Sequence, residues 1–111
     1  MTTSAERKAH NEGVFREANE KLEQKAKVLL GADGETTIPF LCECPRQECT
    51  AVVLLTLAEY EVVRSVPERG LAKWDHEDPE VEVVVEWNER FVMTEKFGRA
   101  GEVHAQRDPR S

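Results

Sequence analysis

The sequence predicts a small α+β domain: a long N-terminal helix, a small and mostly antiparallel sheet, a short second helix and a zinc-knuckle-like cysteine turn. Three observations carry this. Apolar residues recur at helical steps through residues 5–30, short β-rich runs follow with one helical interruption, and three cysteines crowd between two of those runs. At 111 residues the chain suits one domain. That domain is placed at residues 1–97, with residues 1–10 prone to fray and residues 98–111 a disordered tail.

In the first helix, Val14, Ala18, Leu22, Ala26 and Leu29 form the inward stripe, widened by Phe15 and Leu30. The pairs Glu12–Arg16, Glu17–Lys21 and Glu23–Lys27 are in the favourable i,i+4 order. Gly31 and Gly34 supply the stop. The stripe either packs on the sheet or pairs with a second copy of the chain. Thr36 to Leu41 is an edge strand, because Pro39 removes a ladder donor. Thr50 to Leu55 is a second strand, apolar enough to be buried on both faces.

Thr56-Leu57-Ala58-Glu59 is a capping box, with Thr56 at the N-cap and Glu59 at N3. It opens a helix with Leu57, Tyr60 and Val63 inward, ended by Pro67. Gly70 to Trp74 is a short strand leading to a polar turn, Asp75 to Pro79. Val81 to Trp87 and Phe91 to Met93 then form a hairpin. The alternative is a short helix with Asp78 as N-cap and Pro79 at N1, but four valines favour strand. The acids Glu77, Asp78, Glu80, Glu82 and Glu86 read as a solvated face, and Trp74 and Trp87 as core anchors or, alternatively, partner contacts. From Gly98 onward the chain is polar and unpatterned.

The chain carries 22 acidic against 15 basic residues, a formal charge of -7. Phosphate recognition draws on clustered Lys and Arg, so nucleic acid and anionic membrane surfaces are disfavoured; basic proteins are permitted partners. No apolar run approaches the roughly 18 residues of a membrane span, and Met1 to Lys8 holds no apolar export core. Three cysteines in such a chain predict reduced thiols in the cytoplasm, not a disulfide framework.

Those cysteines form the motif C-x-C-x4-C at Cys42, Cys44 and Cys49. Zinc takes four tetrahedral thiolate or imidazole donors, and structural sites draw all four from protein. His76, in the polar turn, is the candidate fourth ligand. His10 and His104, on a fraying helix end and in the tail, are poorer candidates; Asp75, Glu43, Glu48 or water are alternatives. Arg46 can donate to a sulfur and balance the excess negative charge of a three-thiolate site. The chain lacks the metalloprotease and deaminase patterns and any Gly-rich phosphate loop, so no catalytic residue is assigned.

Four blocks match a known pattern in order and spacing: Val14 to Glu20; Phe40-Leu41-Cys42-Glu43-Cys44 with Cys49-Thr50; Leu55 to Glu61 with Val63-Arg64; and His76-Glu77 ahead of Pro79 to Glu82. Over roughly residues 11–96 the chain resembles a family of small bacterial proteins, mainly actinobacterial, with a leading helix and an FCEC-like cysteine cluster. In that family the histidine follows a Pro-Gly turn, where this chain has Trp74-Asp75. The resemblance supports the element order and strengthens His76 as a ligand, and it implies no activity.

The expectation is therefore a non-enzymatic, zinc-stabilised interaction or regulatory domain, meeting a protein partner or a second copy through the N-terminal helix. A thiol redox sensor or small oxidoreductase using Cys42 and Cys44 is the alternative. A nucleic-acid-binding zinc knuckle is a weaker one.

Overall fold

A computed structural model describes residues 4–31, 35–46 and 48–110, with side chains from Glu12 onward. The order is α1 (Ser4–Leu30), β1 (Ile38–Leu41), β2 (Val52–Leu55), α2 (Leu57–Arg64), β3 (Arg69–Ala72), β4 (Glu82–Trp87), β5 (Val92–Lys96) and α3 (Gly98–Gln106). This is the expected α+β mixture, with antiparallel pairing in both of its small sheets. β1 pairs with β2, Phe40 opposite Val53. The other sheet runs β3-β5-β4, with Leu71 opposite Met93 and an irregularity between Val84 and Glu86. A backbone bond from Glu43 N to Leu71 O (2.8 Å) links the two sheets.

The core lies where the sheets meet α2. Phe40, Leu55, Tyr60, Val63 and Leu71 are fully buried, and the Phe40 and Tyr60 rings stack at 4.4 Å. The capping box forms as its spacing predicts: Thr56 Oγ1 accepts from Glu59 N at 3.2 Å, and Glu59 Oε1 accepts from Thr56 N at 2.8 Å. Gly31 ends α1 at φ 62°, its N–H bonded to Lys27 O; Gly34 lies outside the described residues.

The inward face of α1 differs from the predicted stripe. Ala26 is buried and Leu22 half-buried, but Val14 is 54% and Leu29 84% exposed. Glu12, Arg16, Asn19, Glu20 and Glu23 point inward instead. Each has a partner across the fold. Glu12 and Glu82 flank the buried Lys96 amine at 2.6 and 2.9 Å. Arg16 donates to Pro67 O (3.1 Å) and His104 O (2.7 Å). Asn19 pairs with both backbone groups of Leu41, accepting from its N–H at 2.8 Å and donating to its C=O at 2.9 Å, which covers the edge of β1. Buried polar atoms are tolerated where they are bonded, and α1 meets this only in part, since Arg16 Nε and Glu23 Oε2 find no hydrogen-bond partner among the described residues.

Other expectations are corrected too. β2 is buried on one face only, Val53 and Leu55 inward, Val52 and Leu54 outward. Residues 82–87 are strand; Asp78 closes a turn before it, accepting from Glu80 N, Val81 N and Glu82 N. Glu82 belongs to the interior, not to a solvated face. Trp74 and Trp87 are 45% and 66% exposed and not core anchors. The expected disordered tail contains α3, whose Ala100, Val103 and His104 are buried. Within it Gly101 is a packing position: a Cβ there would lie 2.8 Å from Lys96 O.

Candidate metal centre

Residues 42–44 continue β1 in extended form. Cys42 N donates to Ala51 O (3.0 Å) and Glu43 N to Leu71 O. In an extended run successive side chains face opposite ways. Cys42 and Cys44 therefore share one face, packed with Ala72 and Val92, while Glu43 turns to the other. There its carboxylate is fully buried, ion-paired with Arg64 and bonded to Asn19 Nδ2 (2.7 Å) and Leu71 N (3.3 Å).

Beyond Cys44 the chain turns through Pro45, and Cys49 N closes onto Arg46 O at 3.1 Å. His76 arrives from the far side of the centre, after β3. Asp75 holds φ 68°, the left-handed region that Asp, Asn and Gly tolerate best, and His76 N bonds Lys73 O (3.0 Å). The result places His76 Nδ1 3.6 Å from both Cys42 Sγ and Cys49 Sγ. Candidate ligand atoms of Cys42, Cys44, Cys49 and His76 all lie within 4.8 Å of one another. Cys42 and Cys44 are buried, Cys49 and His76 half-buried, and the half-buried side faces an open cleft bordered by Arg46 and Lys73.

Sulfurs this close interact. The hydrogen bond with Cys42 draws Cys44 down to about 5, opposed by burial and aided by the Arg46 N–H. Cys42 moves the opposite way, raised by the same bond and by burial, against a bond from Lys73 N (3.3 Å). A cluster of three sulfurs, two of them accepting backbone N–H donors, is chemistry suited to a metal cation.

The four residues singled out by sequence are the ones brought together, and they are compatible with a metal site. Among the described residues no other such cluster occurs. Glu43 is committed to Arg64, Glu48 and Asp75 are exposed and outside the cluster, and His104 sits in the core with Nε2 3.3 Å from Arg69 O. The side chain of His10 lies outside the described residues. Arg46 contributes its backbone N–H to Cys44, and its exposed side chain does not supply the charge balance expected of it. Sequence reading missed the structural part played by Glu43; the visible signal was an acid between two cysteines in a strand-like run, which alternation sends inward.

Comparison with family models, curated proteins and solved structures finds no match. No described helix is long and apolar enough to cross a membrane.

Proposed function

We propose that Cys42, Cys44, Cys49 and His76 hold a structural zinc ion, and that the chain is a non-enzymatic, zinc-stabilised interaction or regulatory domain of the cytoplasm. One observation carries the metal reading. Tetrahedral zinc with Zn–S of about 2.3 Å and Zn–N of about 2.0–2.1 Å separates nitrogen from sulfur by about 3.6 Å. His76 Nδ1 stands at 3.6 Å from two cysteine sulfurs. Four protein donors close the coordination shell, the pattern of structural and not catalytic zinc.

Native mass spectrometry of the wild type and His76→Ala tests this. One zinc per wild-type chain, weakened or lost in the variant, is the expected result; a metal-free wild type purified without chelator defeats it. A second reading, thiol redox chemistry at Cys42 and Cys44, is favoured by their closeness on one buried face. It requires a metal-free protein that forms a reversible disulfide between them.

The interaction reading rests on the outward side of α1, where Val28 and Leu29 are 85% and 84% exposed beside Lys21 and Lys25. Sedimentation of wild type and Leu29→Asp separates a second copy from a different protein partner. The charge of -7 argues against nucleic acid, so no retention on heparin at physiological salt is expected.

A further inference from the structure

Arg110 follows α3 and folds back across the molecule onto α1 and α2. Its guanidinium meets three carboxylates. Nε donates to Glu20 Oε1 (2.6 Å) and Nη1 to Glu61 Oε2 (2.8 Å). Nη2 donates to Glu20 Oε2 (3.3 Å), Glu23 Oε1 (3.0 Å) and Glu61 Oε1 (3.2 Å). The guanidinium carbon stands 6.0 Å from the centre of the Tyr60 ring. Paired carboxylates around a planar fork, with an aromatic ring nearby, make the geometry that selects arginine over lysine.

The cage has its own supports. Tyr60 OH donates to Glu20 Oε2 (3.0 Å) and its ring stacks on Phe40. Lys27 bridges Glu61 (3.1 Å) and Glu23 (3.5 Å). Glu20 and Glu23 are almost wholly buried, and Glu23 Oε2 is a buried acceptor with no partner among the described residues. Three carboxyls face two cations, Lys27 and Arg110, and burial with the Glu61 contact raises the Glu23 carboxyl to about 7. The walls belong to helices, whereas the plug belongs to a short segment beyond α3.

We infer that Glu20, Glu23, Glu61 and Tyr60 form an arginine-recognition site for an arginine side chain on a protein partner, occupied in cis by Arg110 until that arginine displaces it. This stands independently of the metal reading. A short tether holds its plug at an effective concentration of roughly millimolar or more, so a free arginine analogue must compete against it. Removing the plug exposes the site at its intrinsic affinity.

The test is calorimetric titration of the full chain with Nα-acetylarginine amide and, separately, its lysine counterpart. Arg110→Ala should bind the arginine compound saturably, at least tenfold more tightly than wild type and than it binds the lysine compound. Adding Glu61→Gln to Arg110→Ala should abolish that preference. Arg110→Lys, which keeps the charge but loses the fork, should bind with intermediate affinity and stands in should Arg110→Ala fail to fold by circular dichroism. A folded Arg110 variant with no saturable binding, or with no preference for arginine over lysine, overturns the inference and leaves a structural ion pair. Equal affinity in wild type and variant overturns the displacement in cis.

Discussion

Glu43 occupies the position between two candidate metal ligands, yet its carboxylate serves the opposite side of the chain. It is the anion for Arg64, a guanidinium also bonded to Tyr60 OH at 3.0 Å and buried with it. Glu43→Ala removes the partner and leaves that cation uncompensated, a change worth about 3–5 kcal/mol. Urea unfolding should show a loss of this size, a large part of a small domain's stability; a loss below about 1 kcal/mol would contradict the pairing. His104 gives a second residue-scale expectation. Burial, then the charges of Lys96 and Arg16, hold its imidazole down at about 2. A folded-state value below the unfolded 6.5 means stability is present above pH 6.5 and lost as pH falls from there towards 2. At pH 5 that loss amounts to about 2 kcal/mol. Glu12, whose carboxyl burial holds well above its usual range, slopes the other way. The difference between wild type and His104→Gln therefore isolates the histidine: the variant's stability should fall less between pH 7 and 5.

Elements whose signals are local were legible. The capping box of α2 needs only Thr56 and Glu59, three residues apart, and both bonds form. Thr56→Ala should cost about 1 kcal/mol, read as a lower denaturation midpoint at unchanged slope. α3 shows the opposite case. Residues 98–111 are polar and unpatterned when read alone, because the close approach of Gly101 to Lys96 O is a tertiary fact with no mark in local composition. Gly101→Ala forces that contact and should cost about 1–3 kcal/mol. Gly13→Ala meets nothing within 4 Å and should gain up to about 1 kcal/mol from helix propensity. Opposite signs for the two substitutions, measured by urea, check that α3 packs as described.

At the scale of the molecule, charge is distributed through the interior as well as over the surface. Lys96 is fully buried between Glu12 of α1 and Glu82 of β4, and Arg16 reaches carbonyls 51 and 88 positions away in sequence. This explains why α1 was legible as a helix but not in its orientation. Glu12 and Arg16 have the spacing of a solvated i,i+4 pair, and nothing local distinguishes that from two groups with remote partners. The candidate metal cluster was legible because three of its four residues lie within one short motif. Lys96→Met should destabilise by about 3–5 kcal/mol, and adding Glu12→Leu and Glu82→Leu should recover much of it. A structural zinc contributes on the order of 10 kcal/mol of apparent binding free energy, so a strong chelator should lower the melting midpoint sharply. An unchanged midpoint contradicts structural metal.

The alternation at residues 42–44 also bears on how the chain finds its pairing. β1 is four residues long and carries Pro39, so its ladder with β2 offers few bonds with which to reject a neighbouring register. A slip by one position reverses every side chain. Glu43 would then enter the sulfur cluster, and a cysteine would stand where Arg64 requires an anion. Only the native register gathers the sulfurs on one side and meets the guanidinium on the other. On the proposed zinc reading, metal capture would favour the aligned strand, because misaligned chains cannot bring the four ligands together.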